Sequence, residues 1–351
     1  MTTMLLSDVR HPLAPQWVQA IALEHYGLIA TVEPLPGERD SNYRVRIDLT
    51  GELLVLKVSH PAETPLIADF QTQALLHIAR TAPESIVPRV IPTVHGEASV
   101  LCDAEAGKKR VVRVFTYLAG KPLPSVSRSA AQRVHLAQKL AQIDSALSTF
   151  RHPACSLELP WDLQRADSVR NLLVHVKDPI RRDMANQVLD YFVLNTKSSM
   201  SQLRMQPIHN DLNSHNVLVD EDDHERISGI LDFGDMVYAP LINELAVACA
   251  YQLRESFEDP AINPLTEIIP FVAAYHAALP LTKAEIEILF SLILTRLTMI
   301  VAISGWRAEL EPDNAVYLLR NNELSWIRLT ACTRLSYAEG TAIVRRACGF
   351  N

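Results

Sequence analysis

The sequence predicts an α+β fold of two unequal lobes, a small β-rich one followed by a larger helical one. Between residues 28 and 118, short runs rich in β-branched and aromatic side chains alternate with polar or glycine-containing turns. Beyond Gly120 apolar residues instead recur every three to four positions, the signature of helices packed on a core. A polar cluster interrupts that helical half. Residues 207–219 read Pro-Ile-His-Asn-Asp-Leu-Asn-Ser-His-Asn-Val-Leu-Val, and residues 229–235 read Gly-Ile-Leu-Asp-Phe-Gly-Asp.

In chain order, 28–35, 43–48 and 53–58 fit three successive strands, and the link 36–42 fits a tight turn between the first two. A helix is expected over 65–81, followed by β-rich stretches at 89–94 and 109–118. Residues 115–120, Phe-Thr-Tyr-Leu-Ala-Gly, then join the lobes. Helices are expected over 127–147, 179–205, 241–255, 265–278 and 282–306. The division is therefore 1–118 for the small lobe with its leader and 119–351 for the helical lobe. A chain of 351 residues that is 48% hydrophobic can bury a core in both.

Composition narrows the function. A formal charge of -7 gives no overall attraction to nucleic acid, and the basic run at 108–110 is too short to reverse that. No run is expected to span a membrane, and the first thirty residues lack a secretion signal. Five scattered cysteines, Cys102, Cys155, Cys249, Cys332 and Cys348, form no redox or metal-ligand spacing, which fits thiols in a cytoplasmic protein.

The polar cluster carries the chemistry. Asp211 is a carboxylate able to orient a hydroxyl and accept its proton as phosphorus is attacked. Residues 216–219 read as a strand, 220–225 as an acidic turn and 227–231 as the returning strand. That hairpin would deliver Asp232 beside Asn216, so that two oxygen ligands converge on one magnesium ion. Phe233 can support this turn and Gly234 give it backbone freedom. His209 is better suited to bracing the loop than to moving a proton, while His215 and Asp235 have no assigned role. Upstream, Lys57 is a cation among apolar neighbours in the third strand, placed to offset nucleotide phosphate charge. Gly37, Ser41 and Asn42 permit a tight turn with exposed backbone donors, and Arg39 in it is equally suited to phosphate contact and to solvent.

These residues resemble the aminoglycoside phosphotransferase and choline kinase family, a branch of the protein-kinase-like fold. Its pattern His-x-Asp-Leu-x-x-x-Asn matches His209, Asp211, Leu212 and Asn216, and its metal-binding triplet matches Asp232-Phe233-Gly234. The resemblance spans roughly 28–306, and it implies that the turn with Gly37, Ser41 and Asn42 lies over the nucleotide phosphates and that Phe115, Tyr117 and Leu118, at the hinge, contact the base. It implies that Asp211 is the catalytic carboxylate, that Asn216 and Asp232 bind Mg2+, and that the γ-phosphate of ATP or GTP passes in line to a small amine-bearing alcohol. It also implies an acidic partner for Lys57 on the helix 65–81, near Gln71 or Asp69, and Gln71 cannot neutralise a lysine. Trp161 and Asp162 could shape an amine pocket, or Asp162 could cap the following helix.

Within the family, the asparagine before Asp211 and the continuation Gly-Asp-Met-Val-Tyr at 234–238 look most like the hydroxylysine-kinase branch. That likeness suggests 5-hydroxylysine as acceptor and makes GTP a real alternative to ATP. Homoserine-kinase-like and choline- or ethanolamine-kinase-like enzymes compete with it, ahead of an aminoglycoside phosphotransferase or an inactive nucleotide-binding module. A protein kinase is disfavoured, because Ala239-Pro240 follows Asp232 too closely for a long activation segment.

Overall fold

The computed structural model of the protein describes residues 13–37, 40–104, 109–156, 158–259 and 261–350. Arg39 lies outside them, as does Lys108 of the basic run. The fold is the two-lobed α+β architecture expected, with a β-rich N-terminal lobe and a helical C-terminal lobe.

The first lobe is a six-stranded antiparallel sheet. Strands β1 (Ala30–Leu35), β2 (Ser41–Ile47) and β3 (Leu53–Val58) lie side by side, and β6 (Lys109–Thr116) follows β3 and also pairs with β4 (Val90–Ile91) and β5 (Val100–Asp103). Alternation along each strand sets the two faces. Leu54, Leu56 and Val58 point into one core with Tyr43 and Val45, while Leu53, Val55 and Lys57 face the other way. A helix that periodicity did not mark, α1 (Pro15–Tyr26), covers the core face with Val18, Ile21, Ala22 and Tyr26. The Tyr26 hydroxyl donates to the Val112 carbonyl at 3.1 Å and fastens it.

Helix α2 (Pro65–Thr81) starts where Thr64 caps it and Pro65 occupies its first turn. Phe70, Ala74 and Ile78 pack into the core of the larger lobe, where Phe70 stacks on Phe150 at 5.9 Å. It therefore links the lobes from behind. In front, the chain leaves β6 and crosses as 117–120 to β7 (Lys121–Pro122), which pairs with β9 (Val217–Val219). Gly120 has φ +143, and a Cβ there would lie 2.4 Å from the Ser228 Oγ and 2.5 Å from the Val219 carbonyl. Only glycine lets the crossing lie this close to the hairpin.

The larger lobe is built from α3 (Ala130–Leu147), α4 (Pro179–Tyr191), α5 (Leu241–Gln252), α6 (Ile269–Ala278), α7 (Lys283–Leu310), α8 (Asn322–Cys332) and α9 (Tyr337–Ala347). The expected helix over 179–205 is shorter. It ends at Tyr191, passes through a π turn (Phe192–Thr196) and a short turn of α-helix, and gives way to strand β8 (Met205–Ile208). Helix α7 is the one helix among the described residues with the length and composition of a membrane span. Within its 28 residues, an 18-residue window with a mean hydropathy of 2.1 is long and apolar enough to cross a bilayer by composition, but 94% of that window is buried inside the lobe. It is apolar all round because helices enclose it, which is how a central core helix reads. All five cysteines are free thiols.

Candidate active site

The loop 209–216 is positioned by two small antiparallel ladders. Strand β8 enters it and pairs with β11 (Val237–Pro240), which leaves the Asp-Phe-Gly turn. Strand β9 follows it and pairs with β10 (Ile227–Ile230) in the expected hairpin. The Leu231 amide donates to the Asn216 carbonyl at 2.8 Å, so Asn216 and Asp232 emerge side by side.

Among the described residues, Asn210 and Asp232 are the only non-glycine positions with positive φ, +65 and +59. Such backbone costs about 1–3 kcal/mol per residue and persists where surroundings over-determine it. Here they do. Glu244, fully buried in α5, accepts the Asn210 amide proton at 2.9 Å, and the Asn210 side chain donates to the Asp235 carbonyl at 3.1 Å. His209 braces the same loop. Its Nδ1 accepts from the Asp211 amide at 3.2 Å, so its Nε2 carries the proton donated to the Leu231 carbonyl at 2.8 Å. The ring meets Phe233 edge-on at 4.7 Å. With both nitrogens engaged, His209 is a brace.

Asp211 stands at the centre. Its Oδ2 accepts from the side-chain amides of Asn213 and Asn216, each at 2.8 Å. Its Oδ1 lies 3.6 Å from the guanidinium of Arg296, which is 1% exposed in the middle of α7. Arg296 is itself held over the Trp161 ring at 5.0 Å and donates to the Trp161 carbonyl at 2.9 Å. Burial raises the Asp211 pKa well above the usual carboxylate range, the charges of Asp235 and Asp232 push the same way, and Arg296 opposes them.

Across the cleft, Lys57 Nζ sits 2.9 Å from Asp40 Oδ2 and 3.2 Å from Asp232 Oδ1. Burial disfavours the ammonium, but Asp232 and Asp40 outweigh it, so the Lys57 pKa is raised. Burial likewise opposes charge on Asp40, yet Lys57 and Arg113 lower its pKa to about 2. Asp232 is lowered chiefly by Lys57, against burial. The acidic partner expected on α2 is thus supplied from the start of β2, and Asp69 lies elsewhere, 2.9 Å from His152. Gln71 instead accepts from Arg113 at 2.8 Å and donates to the Gly234 carbonyl at 3.3 Å. Arg113 lies directly opposite Lys57 on β6 and reaches Glu63 at 3.4 Å, giving this wall two adjacent cations and their carboxylates.

A cleft of about 570 Å³ runs between the lobes. It gathers Asp211, Asn216 and Asp232 with Lys57 and Asn42, and Phe115, Tyr117 and Leu118 line its hinge side. Ser41 is the exception. Strand alternation puts its buried side chain on the core face with Tyr43 and Val45, its hydroxyl 3.5 Å from Arg110, while neighbouring Asn42 faces the cleft. Asp162 acts as the cap of the 3₁₀ helix Leu163–His175, accepting from the Gln164 amide at 2.9 Å, and Trp161 lines the cleft.

The donor set suits a magnesium ion. Asp232 offers a carboxylate half-exposed to the cleft, and the Asn216 amide nitrogen is committed to Asp211, which leaves its oxygen for a cation. Among the described residues no group of three or more His, Cys, Asp or Glu could hold a metal. A small hard cation that takes one or two protein oxygens and fills its other positions with phosphate and water fits that sparse set.

Asp40, Arg113, Glu244 and Arg296 belong to no local motif. The last two did leave a trace, each being a charged residue inside an otherwise apolar helix, where a buried partner is required.

A strand-built lobe hinged to a helical one, with a carboxylate loop and an Asp-Phe-Gly turn facing a strand-borne lysine, defines the protein-kinase-like fold of small-molecule phosphotransferases. The chain belongs to the phosphotransferase enzyme family, whose model matches residues 31–279. It is 30% identical over 325 residues to hydroxylysine kinase of Mus musculus, covering 86% of this chain and 84% of that one, and 28% identical over 337 residues to that of Bos taurus, covering 89% and 88%. Among solved structures it resembles a microcompartment-associated aminopropanol kinase, with a TM-score of 0.60 at 19% identity over 95% of this chain and 98% of that one. An amicoumacin kinase in complex with AMP-PNP and Ca2+ superposes with a TM-score of 0.64 at 16% identity, covering 92% and 94%. At these identities the structural likeness concerns the fold.

Proposed function

We propose that this protein is a magnesium-dependent kinase that transfers the γ-phosphate of ATP or GTP to the hydroxyl of an amino alcohol or hydroxy amino acid, with 5-hydroxylysine the foremost acceptor. The observation that carries the transfer is the position of Asp211, held by two asparagines and an arginine in the same cleft as Lys57, Asn216 and Asp232. The choice of acceptor rests on the similarity to hydroxylysine kinases.

In this reading Phe115, Tyr117 and Leu118 receive the base, and Lys57 with Asn42 receives the phosphates. Asn216 and Asp232 would hold magnesium, which supplies charge neutralisation on the donor phosphates. The acceptor hydroxyl meets Asp211 at Oδ1, since Oδ2 is already saturated by two amide donors. As the hydroxyl oxygen bonds to phosphorus and the bond to the β-phosphate oxygen breaks, the hydroxyl proton passes to Asp211 and the nucleoside diphosphate leaves. The raised pKa makes Asp211 a stronger base than an ordinary aspartate, which suits this transfer. No phosphoenzyme is required.

The test is nucleotide consumption with ATP and with GTP over hydroxylysine, homoserine, choline, ethanolamine and an aminoglycoside, with products identified by mass. Phosphorylation of hydroxylysine supports the reading. Turnover confined to choline, ethanolamine or the aminoglycoside would replace the acceptor, and no turnover with any would remove the activity.

A further inference from the structure

Beside Asp211 the main cleft opens into an annex of about 70 Å³, room for one small polar end group. Trp161, Asp211, Asn213, Asp235, Tyr317 and Arg320 line both spaces and so form the mouth between them. This is the position an acceptor occupies when its hydroxyl reaches Asp211 from the side away from the nucleotide wall. For a chamber meant for an amine, its charge is unexpected, because three arginines line it, Arg296, Arg307 and Arg320.

The three differ in what balances them. Arg296 faces Asp211 at 3.6 Å, and Arg307 reaches Glu311 at 3.3 Å. Both are buried in α7. Arg320 is exposed and stands over the Tyr317 ring at 4.1 Å, and no ion pair with a carboxylate involves it among the described residues. A planar guanidinium fixed on an aromatic face, at the mouth of a site and without an acidic partner, is built to take a carboxylate through two parallel hydrogen bonds.

We infer that Arg320, seated on Tyr317, binds a carboxylate of the acceptor, so that the site selects zwitterionic hydroxy amino acids over the corresponding amino alcohols. The inference rests on the kinase reading above and deepens it. Asp235 lines the same mouth. Choline, ethanolamine and aminopropanol offer Arg320 nothing to bind.

Matched pairs test this, hydroxylysine against its decarboxylated diamino alcohol, and homoserine against aminopropanol, with the full-length protein and its Arg320→Gln and Arg320→Lys variants. The wild type should favour the carboxylate member by roughly 10- to 100-fold in kcat/KM, the range of a charge-assisted bidentate contact. Arg320→Gln should collapse that ratio chiefly through KM, and Arg320→Lys should restore part of it. A wild type indifferent to the carboxylate, or a variant that lowers both members of a pair equally, would overturn the inference while leaving the kinase reading in place. Failure to phosphorylate any of the four acceptors would remove both.

Discussion

The two walls of the cleft handle charge in opposite ways. On the strand wall, the two described cations that line the cleft lie against acids of their own lobe or of the Asp-Phe-Gly turn, Lys57 with Asp40 and Asp232, Arg113 with Glu63. On the helical wall the catalytic loop collects acids of like sign. Asp235 and Asp232 make Asp211 harder to ionise, Arg296 opposes them, and Arg320 stands apart on Tyr317. Under the proposed function, a wall that pairs its charges suits one ligand, a polyphosphate with its cation. Under that same function, a wall that crowds carboxylates suits a base poised above its ordinary pKa, and Arg320 lets it discriminate among small charged acceptors.

Changes on either wall test this contrast, and the largest effect belongs to the helical side. Asp211→Asn keeps the size of the side chain and removes the base, so kcat should fall by about 100- to 10,000-fold. Nucleotide affinity, a property of the other wall, should be retained in a direct binding titration. A loss of binding equal to the loss of turnover would erase the division between the walls.

Asp40→Asn strikes the strand wall. It leaves Lys57 buried with Asp232 alone, and breaking a buried pair costs about 3–5 kcal/mol. The expected loss is near the lower end, because one carboxylate remains, and urea denaturation would measure it. Asp40 also carries an acid signature. Its pKa is lowered in the folded state to about 2, so its contribution to stability is complete above the unfolded value near 4. That contribution is lost as pH falls through about 2.

Gly120→Ala tests the crossing that keeps the walls apart. The added methyl meets the Val219 carbonyl and the Ser228 hydroxyl at a positive φ. It should cost about 1–3 kcal/mol, visible as a lower Tm and a weaker KM for the nucleotide.

The smallest effect is on pH dependence. Because the Asp211 pKa is raised in the folded protein, turnover should fall as pH drops through that raised value and the base becomes protonated. Asp235→Asn removes one cause of the rise, so the acid limb of kcat should move to lower pH. An unmoved limb would mean that the two carboxylates are not coupled during turnover.

What could be read from the chain divides along the same line. The loop, the hairpin, the Asp-Phe-Gly turn and Lys57 were legible because their geometry is short-range. A strand fixes the face of Lys57, and a hairpin brings Asn216 beside Asp232. Ser41 failed by the same period-two rule, since one residue along a strand is the opposite face. The Lys57 partner was not legible because Asp40 is brought to it by sheet pairing, and the α2 position suggested by resemblance holds Gln71 bound to Arg113. The acceptor wall was least legible. Trp161, Arg296 and Arg320 come from three separate segments and meet only when α7 packs into the lobe.

Asp211 is proposed to drive phosphate transfer onto an acceptor hydroxyl. The most direct measurement is mass spectrometry of hydroxylysine incubated with magnesium, ATP or GTP, and either wild-type protein or Asp211→Asn at equal nucleotide occupancy. The account predicts O-phosphorylated hydroxylysine with the wild type, and little or none with the variant. Equal product from both proteins would contradict it.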